Sequence, residues 1–229
     1  APPGAGKSTE LPIHLLPDFA SANGRIILLQ PRRLAVRSVA HRLADRLGEK
    51  PGERIGYRMR GESRVSAKTL LEVQTEGVFL RLLQNDPALE SVSLVIFDEY
   101  HERSLDADLS FALCRHSQLL FDELRETPLR LLLMSATLDN EGLKAALPDM
   151  PWLISEGRQF PVTVHYEQKS SDPSRHQSCD LDLVHSRVLA ALTQHDGNIL
   201  VFLPGQAEIR KLQSALEASL DDPHIQCRP

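Results

Sequence analysis

The stretch Ala1-Pro2-Pro3-Gly4-Ala5-Gly6-Lys7-Ser8-Thr9 decides the fold of this chain, because it has the pattern of a phosphate-binding loop. Glycines in such a loop let backbone N–H groups turn toward phosphate oxygens, and the following helix presents its positive N-terminus to them. Lys7 is placed to reach the β- and γ-phosphates, and Ser8 to ligate Mg²⁺. The strict pattern has Gly at the first position, where this chain has Ala1. A strand normally feeds such a loop and none precedes Ala1, so we expect the chain to be a fragment of a longer protein.

Length and composition indicate an ordinary soluble globular protein. The chain has 229 residues, of which 41% are hydrophobic and 25% charged, enough for one large domain or one and a half smaller ones. The three cysteines, Cys114, Cys179 and Cys227, are far apart and form no CxxC pair. This spacing argues against a zinc site or a disulfide scaffold and favours a reducing, cytoplasmic location. No apolar run approaches the roughly 20 residues that span a bilayer.

The charge is unevenly distributed. The formal net charge is −5, but residues 25–64 hold 11 Lys and Arg against 4 Asp and Glu. A basic segment in an otherwise acidic chain can follow a phosphate backbone. On charge alone, a solvated Arg-rich helix face is the more common explanation.

Short apolar runs alternate with segments of helical periodicity. Strands are predicted over 26–29, 69–73, 94–97 and 131–134, and helices over 34–47, 77–83 and 105–120. Gly48 is a plausible C-cap for the first of these helices. Repeated strand–helix units predict an α/β fold with a parallel sheet and helices on both faces. Ligands of such sheets bind at the carboxyl ends of the strands.

The composition changes in the last third of the chain. Residues 168–180 are polar and predict a loop. Strands are predicted over 160–164 and 199–203, and helices over 183–192 and 206–220. This order predicts the opening of a second α/β domain with too few strands to close a core. We place the boundary near Gly157, which gives a first domain of residues 1–157 and an incomplete second domain of residues 158–229.

Acidic and hydroxyl residues follow two of the predicted strands. Asp98-Glu99-Tyr100-His101 comes directly after the strand at 94–97, and Ser135-Ala136-Thr137 after the strand at 131–134. Beside a phosphate loop, an Asp in this place holds Mg²⁺ and a following Glu polarises the attacking water. A solvated acidic turn and a plain turn are the alternatives. His101 has no second His at ligand spacing, so a hydrogen bond is favoured over metal ligation.

These elements, in this order, resemble the DEAH/RHA group of superfamily 2 helicases. The matching motifs I, Ia, Ib, II, III and IV lie at residues 1–9, 30–35, 75–77, 98–104, 135–137 and 200–205, with further similarity at 56–60 and 157–162. Tyr100 departs from the Ala that the group usually has in motif II, but a bacterial subgroup carries an aromatic residue there. The Tyr100 ring is expected to pack beside residues 135–137, away from the phosphates.

The resemblance implies two RecA-like domains that bind ATP, Mg²⁺ and single-stranded nucleic acid, usually RNA. It assigns the ATP phosphates to Gly4, Ala5, Gly6, Lys7, Ser8 and Thr9. It assigns Ser8 and Asp98 as the Mg²⁺ ligands. It assigns Glu99, Asp98 and Lys7 as the catalytic residues, with Glu99 as the base.

Other residues acquire coupling and nucleic-acid roles by the same resemblance. His101, Ser135 and Thr137 would couple hydrolysis to domain movement. Arg32, Arg33, Thr75 and Gly77 would contact the nucleic-acid backbone, which gives a sequence-independent grip. Arg42 would stack on the adenine, and a salt-bridged helix residue is an equal alternative.

Three functions are therefore compared. The resemblance favours an ATP-driven nucleic-acid helicase or translocase. A phosphate-loop kinase would need a lid for its acceptor substrate, whereas Asp98, Glu99 and Ser135 suit attack by water. A nucleic-acid scaffold that binds ATP without hydrolysis is the third, and the intact Lys7 and Glu99 argue against it. The group's motifs V and VI would lie beyond Pro229, so we expect this chain alone to hydrolyse ATP poorly.

Overall fold

The chain divides into two compact units, Ala1–Pro161 and Val162–Pro229. The computed structural model describes residues 4–20, 24–136, 141–155, 161–166, 180–220, 222 and 224–229. In these ranges, none of the helices is both long and apolar enough to cross a membrane.

A six-stranded sheet forms the first unit, with the strand order β3-β2-β4-β1-β5-β6. The strands are β1 (Arg25–Gln30), β2 (Ile55–Met59), β3 (Glu62–Arg64), β4 (Leu71–Thr75), β5 (Val92–Phe97) and β6 (Arg130–Leu133). All neighbouring pairs are parallel except β2 and β3, which form an antiparallel hairpin at one edge. Parallel pairing brings the carboxyl ends of β1, β4, β5 and β6 to one edge of the sheet, where Gln30 lies opposite Thr75 and Leu29 opposite Phe97.

Helices cover both faces of this sheet, as the sequence predicted. They are α1 (Leu11–His14), α2 (Leu16–Phe19), α3 (Arg33–Arg46), α4 (Glu76–Asn85), α5 (Leu105–Phe121) and α6 (Glu141–Ala146). One core cluster packs Val36, Ala40 and Leu43 of α3 on alternate residues of the strands, and also includes Leu16 of α2. The other packs Phe79 of α4 and Phe111 of α5 on the opposite side. Burial on both faces explains why β1 and β5 are continuous apolar runs.

The helix predicted over 34–47 is α3, and its end confirms the capping role of Gly48. Gly48 has a φ of +68°. Its N–H donates to the Asp45 carbonyl at 3.0 Å, and the Glu49 N–H donates to the Ala44 carbonyl at 3.0 Å. These bonds satisfy carbonyls that the helix leaves open, in a conformation that glycine adopts without a Cβ penalty.

Two parts of the sheet differ from the prediction. The strand predicted over 69–73 is β4 and runs from Leu71 to Thr75, because the Thr69 side chain instead donates to the Glu53 carbonyl in the preceding turn at 2.9 Å. The hairpin of β2 and β3 was not predicted. In β2, Ile55, Tyr57 and Met59 alternate into the α3 core, so the period-two signal of a strand is present there.

The second unit contains helices α7 (Leu181–Gln194) and α8 (Gln206–Ser219), which confirm the two predicted helices. They share a small core of Val188, Leu212 and Leu216. The strand predicted over 199–203 is wrong, since these residues have no strand structure and Phe202 is 87% exposed. The strand predicted over 160–164 is equally absent from residues 161–164; Phe160 and the boundary residue Gly157 lie outside the described residues. An apolar run becomes a strand only where a neighbouring strand accepts its hydrogen bonds, and these two runs have none among the residues described.

Candidate functional site

The phosphate-loop sequence forms a tight turn that depends on two glycines. Gly4 and Gly6 have φ values of +78° and +80°. The Gly6 carbonyl accepts from the N–H groups of Glu10 at 2.8 Å and Leu11 at 3.2 Å. A Cβ added to Gly6 would lie 2.9 Å from the Glu10 Cγ. The turn therefore favours glycine at position 6 through both its backbone angle and its close packing.

Around this turn, Gly4 and Ala5 are exposed, whereas Lys7, Ser8 and Thr9 are half-buried. The helix expected directly after the loop begins only at Leu11 and is four residues long. Pro17 explains the interruption, because it has no N–H to donate to the preceding turn and therefore divides the helical run into α1 and α2. An ion pair between Glu10 and Arg46 joins the end of the loop to α3.

Asp98 lies at the carboxyl end of β5 with its carboxylate fixed in place. The residue is only 3% exposed. Gln30, at the end of β1, donates from Nε2 to Asp98 Oδ2 at 2.5 Å. The Glu99 N–H donates to Asp98 Oδ1 at 2.9 Å. Two donors thus orient a buried carboxylate. Asp98 and the Ser8 hydroxyl, predicted to share a metal ion, form no hydrogen bond with each other.

Glu99 turns the chain sharply after β5. It has a φ of +50° and a ψ of +36°, and a single 3-10 turn, Tyr100–Glu102, follows it. His101 Nδ1 lies 3.4 Å from Glu99 Oε2 but has no hydrogen bond to a described residue. A left-handed backbone at a glutamate is uncommon. Here it brings the predicted base and the predicted coupling histidine side by side.

The Tyr100 ring packs against Phe97 of β5 and Phe111 of α5, and its expected place beside residues 135–137 stays a prediction. Its centroid is 6.2 Å from that of Phe97 and 6.0 Å from that of Phe111. Its hydroxyl donates to Asp108 Oδ1 at 2.8 Å, and Arg103 lies over the ring and pairs with the same carboxylate. Burial, with the hydrogen bond to Asp108, raises the pKa of the Tyr100 phenol well above its usual range. The Tyr100 backbone contacts Met134, the residue before Ser135.

That backbone contact links the turn to the end of β6. The Tyr100 N–H donates to the Met134 carbonyl at 3.0 Å, and the Met134 N–H donates to the Phe97 carbonyl at 2.8 Å. Ser135, the next residue, is half-buried, so the structure brings it close to the acidic turn. Thr137 lies outside the described residues.

The predicted nucleic-acid residues lie near the same edge of the sheet. Arg32 forms an ion pair with Glu102 at 3.2 Å, and Arg33 donates to the Arg60 carbonyl at 3.1 Å. Thr75 ends β4, and Gly77 lies exposed in the first turn of α4. These contacts connect the motif that contains Arg32 to the acidic turn.

Arg42 is exposed to solvent, whereas Gln30 is buried beside Asp98. Arg42 is exposed on α3 and makes no hydrogen bond or ion pair with another described residue. Gln30 was not among the predicted site residues, yet it orients Asp98. The signal that could have found it is a polar side chain at the end of an otherwise apolar, buried strand.

Known proteins place this arrangement in a family. The chain belongs to the DEAD/DEAH box helicases, whose family model matches residues 1–146. It is 50% identical over 227 residues to the ATP-dependent RNA helicase HrpB of Escherichia coli, which covers 99% of this chain and 27% of that protein. It is 33% identical over 214 residues to the human ATP-dependent RNA helicase DHX33, which covers 91% of this chain and 29% of that protein. The chain thus spans less than a third of the length of these relatives.

Solved structures agree with the fold. A crystal structure of the Escherichia coli DEAH/RHA helicase HrpB matches 97% of this chain and 27% of that chain, with a TM-score of 0.85 and 49% identity. A second crystal structure, of the Escherichia coli DExH-box NTPase HrpB, matches 95% of this chain and 26% of that chain with a TM-score of 0.73 and 50% identity. The RecA-like fold implied by the sequence motifs is therefore confirmed, as is the resemblance to the DEAH/RHA group.

Proposed function

We propose that this chain is the nucleotide-hydrolysing part of an ATP-dependent helicase or translocase that moves on single-stranded RNA. The observation that carries the proposal is the acidic turn at the carboxyl edge of the sheet. There Gln30 fixes the Asp98 carboxylate at 2.5 Å, and Glu99 lies 3.4 Å from His101. The ATP-dependent RNA helicase names of the relatives support the choice of nucleotide and of RNA.

The residues present fit a Mg²⁺–nucleotide complex. Gly4 and Gly6 adopt the positive φ angles that let a loop turn its N–H groups toward phosphate oxygens. Asp98 and Ser8 supply the carboxylate and hydroxyl oxygens that Mg²⁺ prefers. Lys7 supplies a positive charge beside the phosphates. When bound, Mg²⁺ would neutralise charge on the phosphate oxygens.

The protein's own groups account for the chemical step that we propose. Glu99 accepts a proton from the water whose oxygen attacks the γ-phosphorus, while the bond from that phosphorus to the β–γ bridging oxygen breaks and ADP leaves. The hydrogen bond from Gln30 fixes the orientation of the Asp98 carboxylate, because a buried carboxylate is held by the donors around it. His101 lies against Glu99, and Ser135 follows Met134, whose carbonyl accepts from the same turn. His101, Ser135 and Thr137 are therefore the proposed coupling residues.

The wider assignment follows the same resemblance. Residues 1–157 form the proposed ATP-binding domain, and residues 158–229 begin the second RecA-like domain. Arg32, Arg33, Thr75 and Gly77 are the proposed contacts to nucleic-acid phosphates, a mode that does not depend on base sequence. The exposed Arg42 guanidinium is the proposed stacking partner of the adenine.

The test is ATP turnover by the intact protein with and without single-stranded RNA or DNA. We expect RNA to stimulate turnover and Glu99→Gln to abolish it. Glu123→Gln, which makes the same change at an exposed position, is the matched control and should retain turnover. ATP binding without turnover under any condition would favour the non-hydrolysing scaffold and refute the proposal.

A further inference from the structure

A second cleft lies on the face of the sheet opposite α3. It has a volume of about 420 Å³ and lies between β2, β4 and α4. Leu71 and Val73 of β4 point into the α3 core, so the alternate residues Glu72 and Gln74 point to the other face. Leu16 of α2 belongs to the α3 side, and the cleft lining contains no described residue of the phosphate loop or of the acidic turn. The cleft is therefore separate from the candidate nucleotide site.

The lining of this cleft carries a surplus of positive charge. Its charged residues are four arginines and one glutamate, namely Arg25, Arg58, Arg60, Arg81 and Glu72. Glu72 is 1% exposed. It accepts from Arg58 Nε at 2.6 Å and pairs with Arg25 Nη1 at 3.4 Å. A buried carboxylate needs such partners, so one negative charge is matched and a surplus of three positive charges faces the cleft.

Polar atoms without partners also line the cleft. Gln74 is 2% exposed, and its amide nitrogen donates to Glu72 at 2.8 Å. The Gln74 Oε1 and Arg25 Nε atoms are buried and have no hydrogen bond to a described residue. Buried polar groups in native proteins almost always find a partner. Arg25 Nε is a donor beside guanidinium groups that form no ion pair with a described residue, an arrangement that suits an oxyanion. Gln74 Oε1 is an acceptor, which only a protonated phosphate oxygen or a water would satisfy.

We propose that this cleft is a second anion site that binds a phosphate group. Arginine presents several N–H donors in a planar fork that matches phosphate oxygens, and Arg60 and Arg81 make no ion pair with a described residue. The phosphate has two possible sources, a nucleic-acid strand or a free phosphorylated small molecule. The first source rests on the proposed function: Arg33 bonds the Arg60 carbonyl, and Gly77 directly precedes Val78 of the lining.

The experiment uses the intact protein with Lys7→Ala as background, which weakens the phosphate loop as a competing anion site. Inorganic pyrophosphate is titrated by calorimetry, and fluorescent single-stranded RNA by anisotropy across a series of salt concentrations. Arg81 is exposed, so Arg81→Glu should leave the fold intact, whereas a change at Arg58 would remove one of the partners of the buried Glu72. Arg115→Glu, at an exposed position on α5 that does not line the cleft, makes the same charge change as a control.

We expect Arg81→Glu to weaken binding by about tenfold or more, the effect of one lost charge-assisted contact, while Arg115→Glu leaves it unchanged. Loss of pyrophosphate affinity assigns the site to free phosphates. Loss of RNA affinity alone, with the salt slope of binding lower by about one in Arg81→Ala, assigns it to the nucleic-acid backbone.

The proposal is overturned if Arg81→Glu changes the affinity for neither pyrophosphate nor RNA relative to the Arg115→Glu control. Pyrophosphate binding does not depend on ATP turnover. Absence of turnover in the parent protein would therefore refute the proposed function and leave the anion site standing.

Discussion

Replacing Tyr100 by Ala tests whether its ring holds the acidic turn on α5. The residue is 6% exposed, and its ring completes an aromatic cluster in which the Phe97 and Phe111 centroids are 5.6 Å apart. Truncating a buried aromatic side chain loses its burial and leaves a cavity, so we expect a loss of about 3 to 5 kcal/mol in the free energy of unfolding. Tyr100→Phe keeps the ring and loses only the hydroxyl bond to Asp108, at a cost of about 1 kcal/mol. Asp108 retains Arg103 at 2.8 Å in that variant.

Urea denaturation followed by far-UV circular dichroism measures these differences. Tyr166→Ala is the control because Tyr166 is 91% exposed, and its effect should stay within about 0.5 kcal/mol. The reasoning is refuted if Tyr100→Ala costs no more than Tyr100→Phe, since the packed ring would then contribute nothing. Equal losses in Tyr100→Ala and Tyr166→Ala would refute it as well.

Three further outcomes follow from the structure. Burial, with neighbouring carboxylates, raises the pKa of Glu76 above its usual value, so the folded state binds this proton more tightly and its stability falls as pH rises above about 4.5. The unfolding free energy of Glu76→Gln relative to the parent should therefore increase from pH 4 to pH 8, and a flat difference would contradict this. Burial raises the pKa of the Cys114 thiol to about 12, so at pH 8 a thiol reagent followed by mass spectrometry should label the half-buried Cys227 and reach Cys114 only on unfolding; equal labelling rates would oppose it. Gln30→Leu removes the donor to Asp98 and should lower ATP turnover of the intact protein by about 10- to 100-fold, as loss of an orienting partner does; unchanged turnover would show that Asp98 needs no such partner.

The central strands were predictable because a strand that is buried on both faces consists mostly of apolar residues. In β5 all six residues are buried, and in β1 five of six are, so each appears as an apolar run. Residues 199–203 also form an apolar run, yet Leu200 is 78% exposed. Composition reports what a segment could bury, whereas strand formation also requires a neighbour at the correct register.

The β2–β3 hairpin was missed for the opposite reason. Its outer face carries Gly56 and Arg58, which weaken an apolar pattern even though Ile55 and Tyr57 point into the core. Gly56 has a structural reason to be there: an added Cβ would lie 2.7 Å from the Arg64 carbonyl oxygen across the hairpin. The close approach of the Arg64 carbonyl therefore requires glycine at position 56. Glycine has no side chain to contribute to the apolar pattern by which a strand is predicted from sequence.

The acidic turn shows why motifs located the candidate site where local patterns could not. Its position depends on Gln30, 68 residues earlier in the chain, on the Met134 carbonyl at the end of β6, and on Asp108 in α5. None of these partners is marked by periodicity or propensity around residue 98, and the left-handed backbone of Glu99 runs against the preference of its residue type. A strained backbone of this kind persists only where several surrounding contacts hold it in place. Motifs Ia, Ib, II and III carry that information because they lie at the carboxyl ends of β1, β4, β5 and β6, and the parallel sheet brings those four ends together.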